Sequence, residues 1–115
     1  MKLKELSLII PAFNEENAIK STIEEARKVL SSSCEQFEII VVDDCSSDNT
    51  SAIAKECNVL VISHPVNMGY GYSLKTGITA SRYEILAICD ADGTYEMRSE
   101  ERRVGKECRC RWSSY

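Results

Sequence analysis

Ile39-Ile40-Val41-Val42, followed at once by Asp43-Asp44, is the most informative stretch of this 115-residue sequence. Four consecutive apolar residues, all β-branched, are what a strand buried on both faces of a parallel sheet requires. Upstream, Leu6-Ser7-Leu8-Ile9-Ile10 is a second short apolar run. Pro11 is expected to stop it, because proline removes a ladder donor from a central strand. Between the two runs lies a helical pattern, with Asn14 as its expected cap and Glu15 and Glu16 favouring its positive end. Ile19, Ile23, Ala26 and Leu30 recur at helical spacing and are expected to face the sheet. Downstream, Ser46, Ser47, Asp48 and Asn49 supply turn and capping chemistry for a helix through Ile53 and Ala54. Val59 to Ile62 reads as a third strand, and Asn67-Met68-Gly69-Tyr70-Gly71 as a glycine loop. A helix carrying Leu74 and Ile78 follows, mildly weakened by Gly77. Ile85-Leu86-Ala87-Ile88-Cys89 is the fourth strand, ended by Asp90-Ala91-Asp92-Gly93. This β-α-β-α-β-α-β order predicts an α/β fold: a mostly parallel sheet of four strands with helices on both faces.

Composition narrows the function classes. The net charge of −4 divides into −7 over residues 1–97 and +3 over residues 98–115. An acidic body lacks the basic stripe that a phosphate backbone demands, so nucleic acid is not an expected partner. The longest apolar runs are strand-sized, too short to span a bilayer. Pro11 and Asn14 interrupt any signal-peptide core behind Lys2 and Lys4, so a cytoplasmic location is expected. Cys34, Cys45, Cys57 and Cys89 are scattered singly, and Cys108 and Cys110 have no second pair. That spacing predicts free thiols rather than structural zinc. His64, just before Pro65, reads as structural.

In a parallel sheet, ligands bind outside the carboxyl ends of the strands, where the strand order reverses. Three polar clusters occupy such ends: Pro11 to Glu15, Asp43-Asp44, and Asp90-Ala91-Asp92. Two carboxylates separated by one small residue suit one hard cation such as Mg2+ or Mn2+. Such a cation can bridge the phosphates of a nucleoside diphosphate and stabilise it as a leaving group. Asp44 is placed to accept hydrogen bonds from a base or ribose, and equally to cap the loop that follows it. Lys75, just beyond the glycine loop, is expected either to reach a phosphate or base or to be a solvated surface lysine.

These segments resemble family 2 glycosyltransferases. Leu8-Ile9-Ile10-Pro11-Ala12-Phe13-Asn14-Glu15-Glu16 is similar to the family's opening. Ile40-Val41-Val42-Asp43-Asp44-Cys45-Ser46-Ser47-Asp48-Asn49-Thr50 is similar to its D-D-x-S-x-D-x-T motif. Asn67 to Gly71 with Leu74-Lys75-Thr76-Gly77, and Asp90 to Tyr95, complete the likeness over residues 6–97. The nearest flavour is the branch of dolichyl- and polyprenyl-phosphate sugar transferases. The resemblance implies a nucleotide-diphospho-sugar transferase (GT-A, Rossmann-like) fold, cut short. It implies that Pro11, Phe13, Glu15, Val42 and Asp44 hold the nucleotide, with Lys75 and Ala91 beside it, and that Asp90 and Asp92 hold the metal and the diphosphate. A UDP- or GDP-sugar is the implied donor, and a polyprenyl-phosphate or glycan the implied acceptor. Cys45 departs from the pattern: glycine is usual there, so a strained backbone is expected.

By the same resemblance, acceptor-binding elements and a catalytic carboxylate belong to later segments. Residues 1–97 are therefore expected to form a partial donor-binding domain without turnover, with membrane association left to segments not present. Residues 98–115 lack apolar periodicity and resemble the translation of a short-read sequencing adapter. They are expected to form a non-native or disordered tail. The alternative class is a non-catalytic nucleotide-binding or regulatory module. A receiver domain needs an acidic residue after the third strand, where Ser63-His64-Pro65 stands instead. A dinucleotide-binding oxidoreductase needs G-x-G-x-x-G after the first strand, and that is absent.

Overall fold

The computed structural model describes residues 3–89 and 112–114. Chain order is β1 (Leu3–Ala12), α1 (Ile19–Ser33), β2 (Cys34–Asp43), α2 (Thr50–Glu56), β3 (Leu60–Ser63), α3 (Tyr70–Ala80), β4 (Ile85–Ile88) and β5 (Trp112–Ser114). The sheet order is β3-β2-β1-β4-β5, with the first four strands mutually parallel. Strand order reverses between β1 and β4, so the expected crevice lies above these two neighbours.

The two faces of the sheet explain the apolar pattern. Leu6, Leu8, Ile10 and Ala12 of β1, with Ile39 and Val41 of β2, point to one side. There they pack against Ile19, Ile23, Ala26 and Leu30 of α1 and Ala54 of α2. The alternate residues Ile9, Ile40, Val42 and Ile88 point to the other side and meet Leu74, Ile78 and Ala80 of α3. Strands buried on both faces read as continuous apolar runs for this reason.

Five details differ from the sequence expectation. β1 runs through Pro11 to Ala12, although it is central. Ile9 and Pro11 turn their backbone groups toward β4, and the β1–β4 register ends at Ile9↔Ile88. The missing proline N–H therefore falls just past the last described register pair of β1 with β4. Asn14 does not cap α1: Ala18 takes that position, without a side-chain hydrogen bond. β2 begins at Cys34, directly after α1, and β3 is shifted one residue, to Leu60–Ser63. Gly77 does more than weaken α3. It is buried, and a Cβ there would collide with Ile9 Cγ2, so glycine sets how closely α3 approaches the sheet.

A short fifth strand joins the four expected ones. Trp112–Ser114 pairs antiparallel with β4 in the register Ile85↔Ser114, Leu86↔Ser113 and Ala87↔Trp112. An edge strand offers backbone donors and acceptors to any extended segment. The remainder of the tail, and the Asp90-Ala91-Asp92 cluster, lie outside the described residues. No described helix is long and apolar enough to cross a membrane.

Candidate donor-binding site

The loops after β1, β2 and β3 meet at the carboxyl edge of the sheet and are tied by side chains. Backbone bonds begin the assembly: Asp44 N–H donates to Ala12 O at 2.8 Å, and His64 N–H to Asp43 O at 2.9 Å. Asn14 then adopts a positive φ of 54°. Its N–H donates to Ser46 Oγ at 2.8 Å, and its Oδ1 accepts from Ser47 N–H at 2.8 Å. Asparagine tolerates this left-handed conformation better than other residues with a Cβ. Glu15 N–H donates to Thr50 Oγ1 at 2.8 Å, and Glu16 N–H to Asp48 Oδ2 at 3.2 Å. In return Glu16 Oε1 accepts from Asn49 N–H at 3.2 Å. Ser46, Asp48 and Thr50 of the second motif thus hold the first motif in shape. Asp48 also accepts from Thr50 N–H. Burial opposes its charge, but the bonds from Thr50 and Glu16 outweigh this and hold its carboxyl below the usual range.

Asp43 and Asp44 divide their work. Asp43 is buried, and its Oδ1 accepts from Ser46 N–H at 3.2 Å, closing its own turn. Asp44 is only 5% exposed and reaches across to the next loop. Its Oδ1 meets His64 Nδ1 at 2.7 Å and Met68 N–H at 2.8 Å, and its Oδ2 accepts from Gly69 N–H at 2.9 Å. Asn67 Nδ2 donates to the Asp44 carbonyl at 3.2 Å. Burial disfavours the Asp44 carboxylate, but the bonds from His64, Met68 and Gly69 prevail and lower its pKa. Gly69 has φ 98°, a backbone that only glycine adopts without strain. Cys45, where the sequence predicts strain, has φ 64°, with its Sγ 3.6 Å from Pro65 O.

The expected nucleotide residues therefore divide into groups. Phe13 is 48% exposed on the edge, and Glu15 is half-buried beside it. Pro11 and Val42 pair across the β1–β2 ladder. Both are buried, and Val42, at 0% exposure, belongs to the core under α3, so the structure does not bring it to the surface of the site. Asp44 is in the site, but its carboxylate faces the glycine loop. Lys75 is exposed further along α3 and lines a shallow depression of about 370 Å³ with Ile62, Tyr72 and Thr76. This depression lies on the α3 flank, and two of its lining residues, Tyr72 and Thr76, also touch His64. Asp90, Ala91 and Asp92 are beyond Cys89, the last described residue before them, whose N–H donates to Ile9 O at 3.0 Å. No group of three or more metal-ligating side chains occurs among the described residues. Sequence reading passed over His64, which is buried and bonded to both Asp44 and Thr76. A histidine directly after a parallel strand was the available signal.

A strand-order reversal beside β1, with stitched loops on the carboxyl edge, is the arrangement of Rossmann-like open α/β sheets, and the solved structures below that share it are GT-A nucleotide-sugar transferases. The chain belongs to glycosyl transferase family 2, whose model matches residues 7–105. It is 38% identical over 104 residues to an uncharacterised Methanocaldococcus jannaschii protein, covering 87% of this chain and 40% of that one. It is 35% identical over 111 residues to the human dolichyl-phosphate beta-glucosyltransferase, covering 86% of this chain and 34% of the relative. Among solved structures it is similar to glucosyl-3-phosphoglycerate synthase from Mycobacterium tuberculosis in complex with Mn2+, UDP and phosphoglyceric acid. That likeness has a TM-score of 0.65 at 28% identity, covering 76% of this chain and 33% of that one. The mannosyltransferase PcManGT from Pyrobaculum calidifontis, in complex with GDP-Man and Mn2+, shares the fold with a TM-score of 0.69 at 20% identity. It matches over 80% of this chain and 28% of its own. The chain thus spans about a third of the length of the curated relatives it matches.

Proposed function

We propose that this chain forms the donor half of a glycosyltransferase that moves a sugar from a UDP- or GDP-sugar to a polyprenyl-phosphate or glycan acceptor. The observation that carries the reading is the stitched pair of loops Phe13–Glu16 and Asp44–Thr50, which follow β1 and β2 on the carboxyl edge, next to the reversal between β1 and β4. Preorganised loops bind a ligand without the cost of ordering them. In this reading the nucleotide lies over Phe13 and Glu15, on a floor built by Pro11 and Asp44. Lys75 reaches it only from the α3 flank.

Asp90 and Asp92 are the proposed holders of Mg2+ or Mn2+. Two carboxylates are hard oxygen donors that fit such an ion, and the described residues provide no rival cluster. Held by these two carboxylates, such a cation would supply positive charge to a leaving diphosphate. Names among the relatives support a divalent ion and a nucleotide-sugar, and the dolichyl-phosphate glucosyltransferases favour a lipid-phosphate acceptor. A cytoplasmic location belongs to the same proposal. Residues 1–97 are proposed as the donor-binding unit, binding without turnover because the acceptor site and catalytic carboxylate would come from other segments.

Isothermal calorimetry of the 115-residue chain with UDP and with GDP, each with and without Mn2+, tests the reading. Binding of one nucleotide that strengthens with Mn2+ is expected. A folded sample that binds neither overturns it.

A further inference from the structure

We propose that His64 is a positioning residue of the donor site, holding Asp44 so that its carboxylate fixes the Asn67–Gly69 loop. The inference rests on the donor-binding reading and assigns a role to a side chain that the sequence reading treated as merely structural. His64 is buried at the junction of three elements. Its Nδ1 lies 2.7 Å from Asp44 Oδ1, at the end of β2, and its Nε2 lies 2.8 Å from Thr76 Oγ1, on α3. The ring of Tyr72 meets it edge-on at 5.4 Å between centroids and 72° between planes. Against the Asp44 carboxylate, which only accepts, the imidazole donates from Nδ1, while Nε2 pairs with the Thr76 hydroxyl. The histidine thus sets the rotation of the carboxylate. The carboxylate in turn receives the Met68 and Gly69 amides, at 2.8 and 2.9 Å. A buried carboxylate with one partner removed turns toward water or another donor, and its remaining bonds weaken.

Asp44 on this account acts on the donor through the loop it shapes. A histidine that only filled space would be replaceable by any side chain of similar bulk. One that orients Asp44 must be replaced by a donor at the Nδ1 position. Asparagine places its amide nitrogen close to that position, whereas glutamine reaches toward Thr76 instead.

The test compares His64→Asn, His64→Gln and His64→Ala in the 115-residue chain. Two readouts are used: amide hydrogen exchange of Met68 and Gly69 without nucleotide, and UDP or GDP affinity with Mn2+. The Ala and Gln variants are expected to exchange at both amides about tenfold faster and to bind about tenfold more weakly, which is about 1.4 kcal/mol. The Asn variant is expected to stay within about threefold of the native chain in both. Equal behaviour of Asn and Gln, or unchanged exchange in the Ala variant, overturns the proposal. Faster exchange with unchanged affinity also overturns it, since the loop would then lie outside the donor site. If the native chain binds no nucleotide, the donor-binding reading fails, and with it the donor role of His64. The exchange order would still decide whether His64 orients Asp44. Urea unfolding of each variant separates these effects from global loss of structure.

Discussion

Replacing Asp44 by asparagine isolates the charge that joins the end of β2 to the glycine loop. The native carboxylate accepts three bonds, from His64, Met68 and Gly69. Asparagine keeps the shape but offers one acceptor and one NH2 group. With its carbonyl at the Oδ1 position, two bonds lose their charge assistance, at about 1 kcal/mol each. Its NH2 then confronts the Gly69 N–H, leaving a half-buried donor unmet for about another 1 kcal/mol. The expected loss is about 3 kcal/mol, a large part of the roughly 5–15 kcal/mol that stabilises a domain. Urea unfolding of both proteins, followed by circular dichroism at pH 7 and near pH 3, measures it. Burial raises the Asp44 pKa, but its bonds lower it further, so the folded value lies below the ordinary 3.8. Its contribution is therefore fully present above that ordinary value and disappears as pH falls through the folded one. The gap between the two proteins should narrow on acidification. A gap under about 1 kcal/mol at pH 7, or one that widens toward pH 3, refutes the reasoning.

Two further substitutions probe the backbone. Gly77→Ala should cost about 1–2 kcal/mol, because overpacking against the stiff Ile9 exceeds the gain in helix propensity. Gly71→Ala, in the same helix with open space around it, should instead be neutral or stabilising by up to about 1 kcal/mol. Equal signs in urea melts would show that α3 does not rest on Ile9. Cys45→Gly should raise stability by about 1 kcal/mol by relieving the positive φ of 64°. A lowered melting temperature would show that the Sγ contact with Pro65 O outweighs the strain.

Much of this architecture was legible from periodicity. Ile39–Val42 and Leu6–Ile10 announced strands buried on both faces, and Ile19, Ile23, Ala26 and Leu30 announced the stripe of α1. What escaped depended on tertiary partners. Pro11 sits in a central strand just past Ile9↔Ile88, the last pair of the described β1–β4 register, a fact about β4 rather than about proline. Asn14 looked like a cap because its residue type favours caps, yet its side chain is engaged with Ser47 on another loop. Gly77 looked like a defect in α3 until Ile9 stood beneath it. In the site, the resemblance identified Asp44, and only three-dimensional contacts showed that its oxygens are turned toward Met68 and Gly69. His64 was missed because its significance arises from Asp44 and Thr76, 20 and 12 residues away.

The stitching of the edge loops has an electrostatic corollary. Exposed amides at helix starts are the usual protein counterweight to a phosphate. Here the amides of Asn14, Glu15, Glu16, Ser46, Ser47, Asn49, Thr50, Met68 and Gly69 are already saturated by side chains of the chain itself. Several of those side chains carry negative charge, so these described amides offer a polyanion no free donor. On the proposed reading, a phosphorylated donor would need positive charge that these loop amides do not supply.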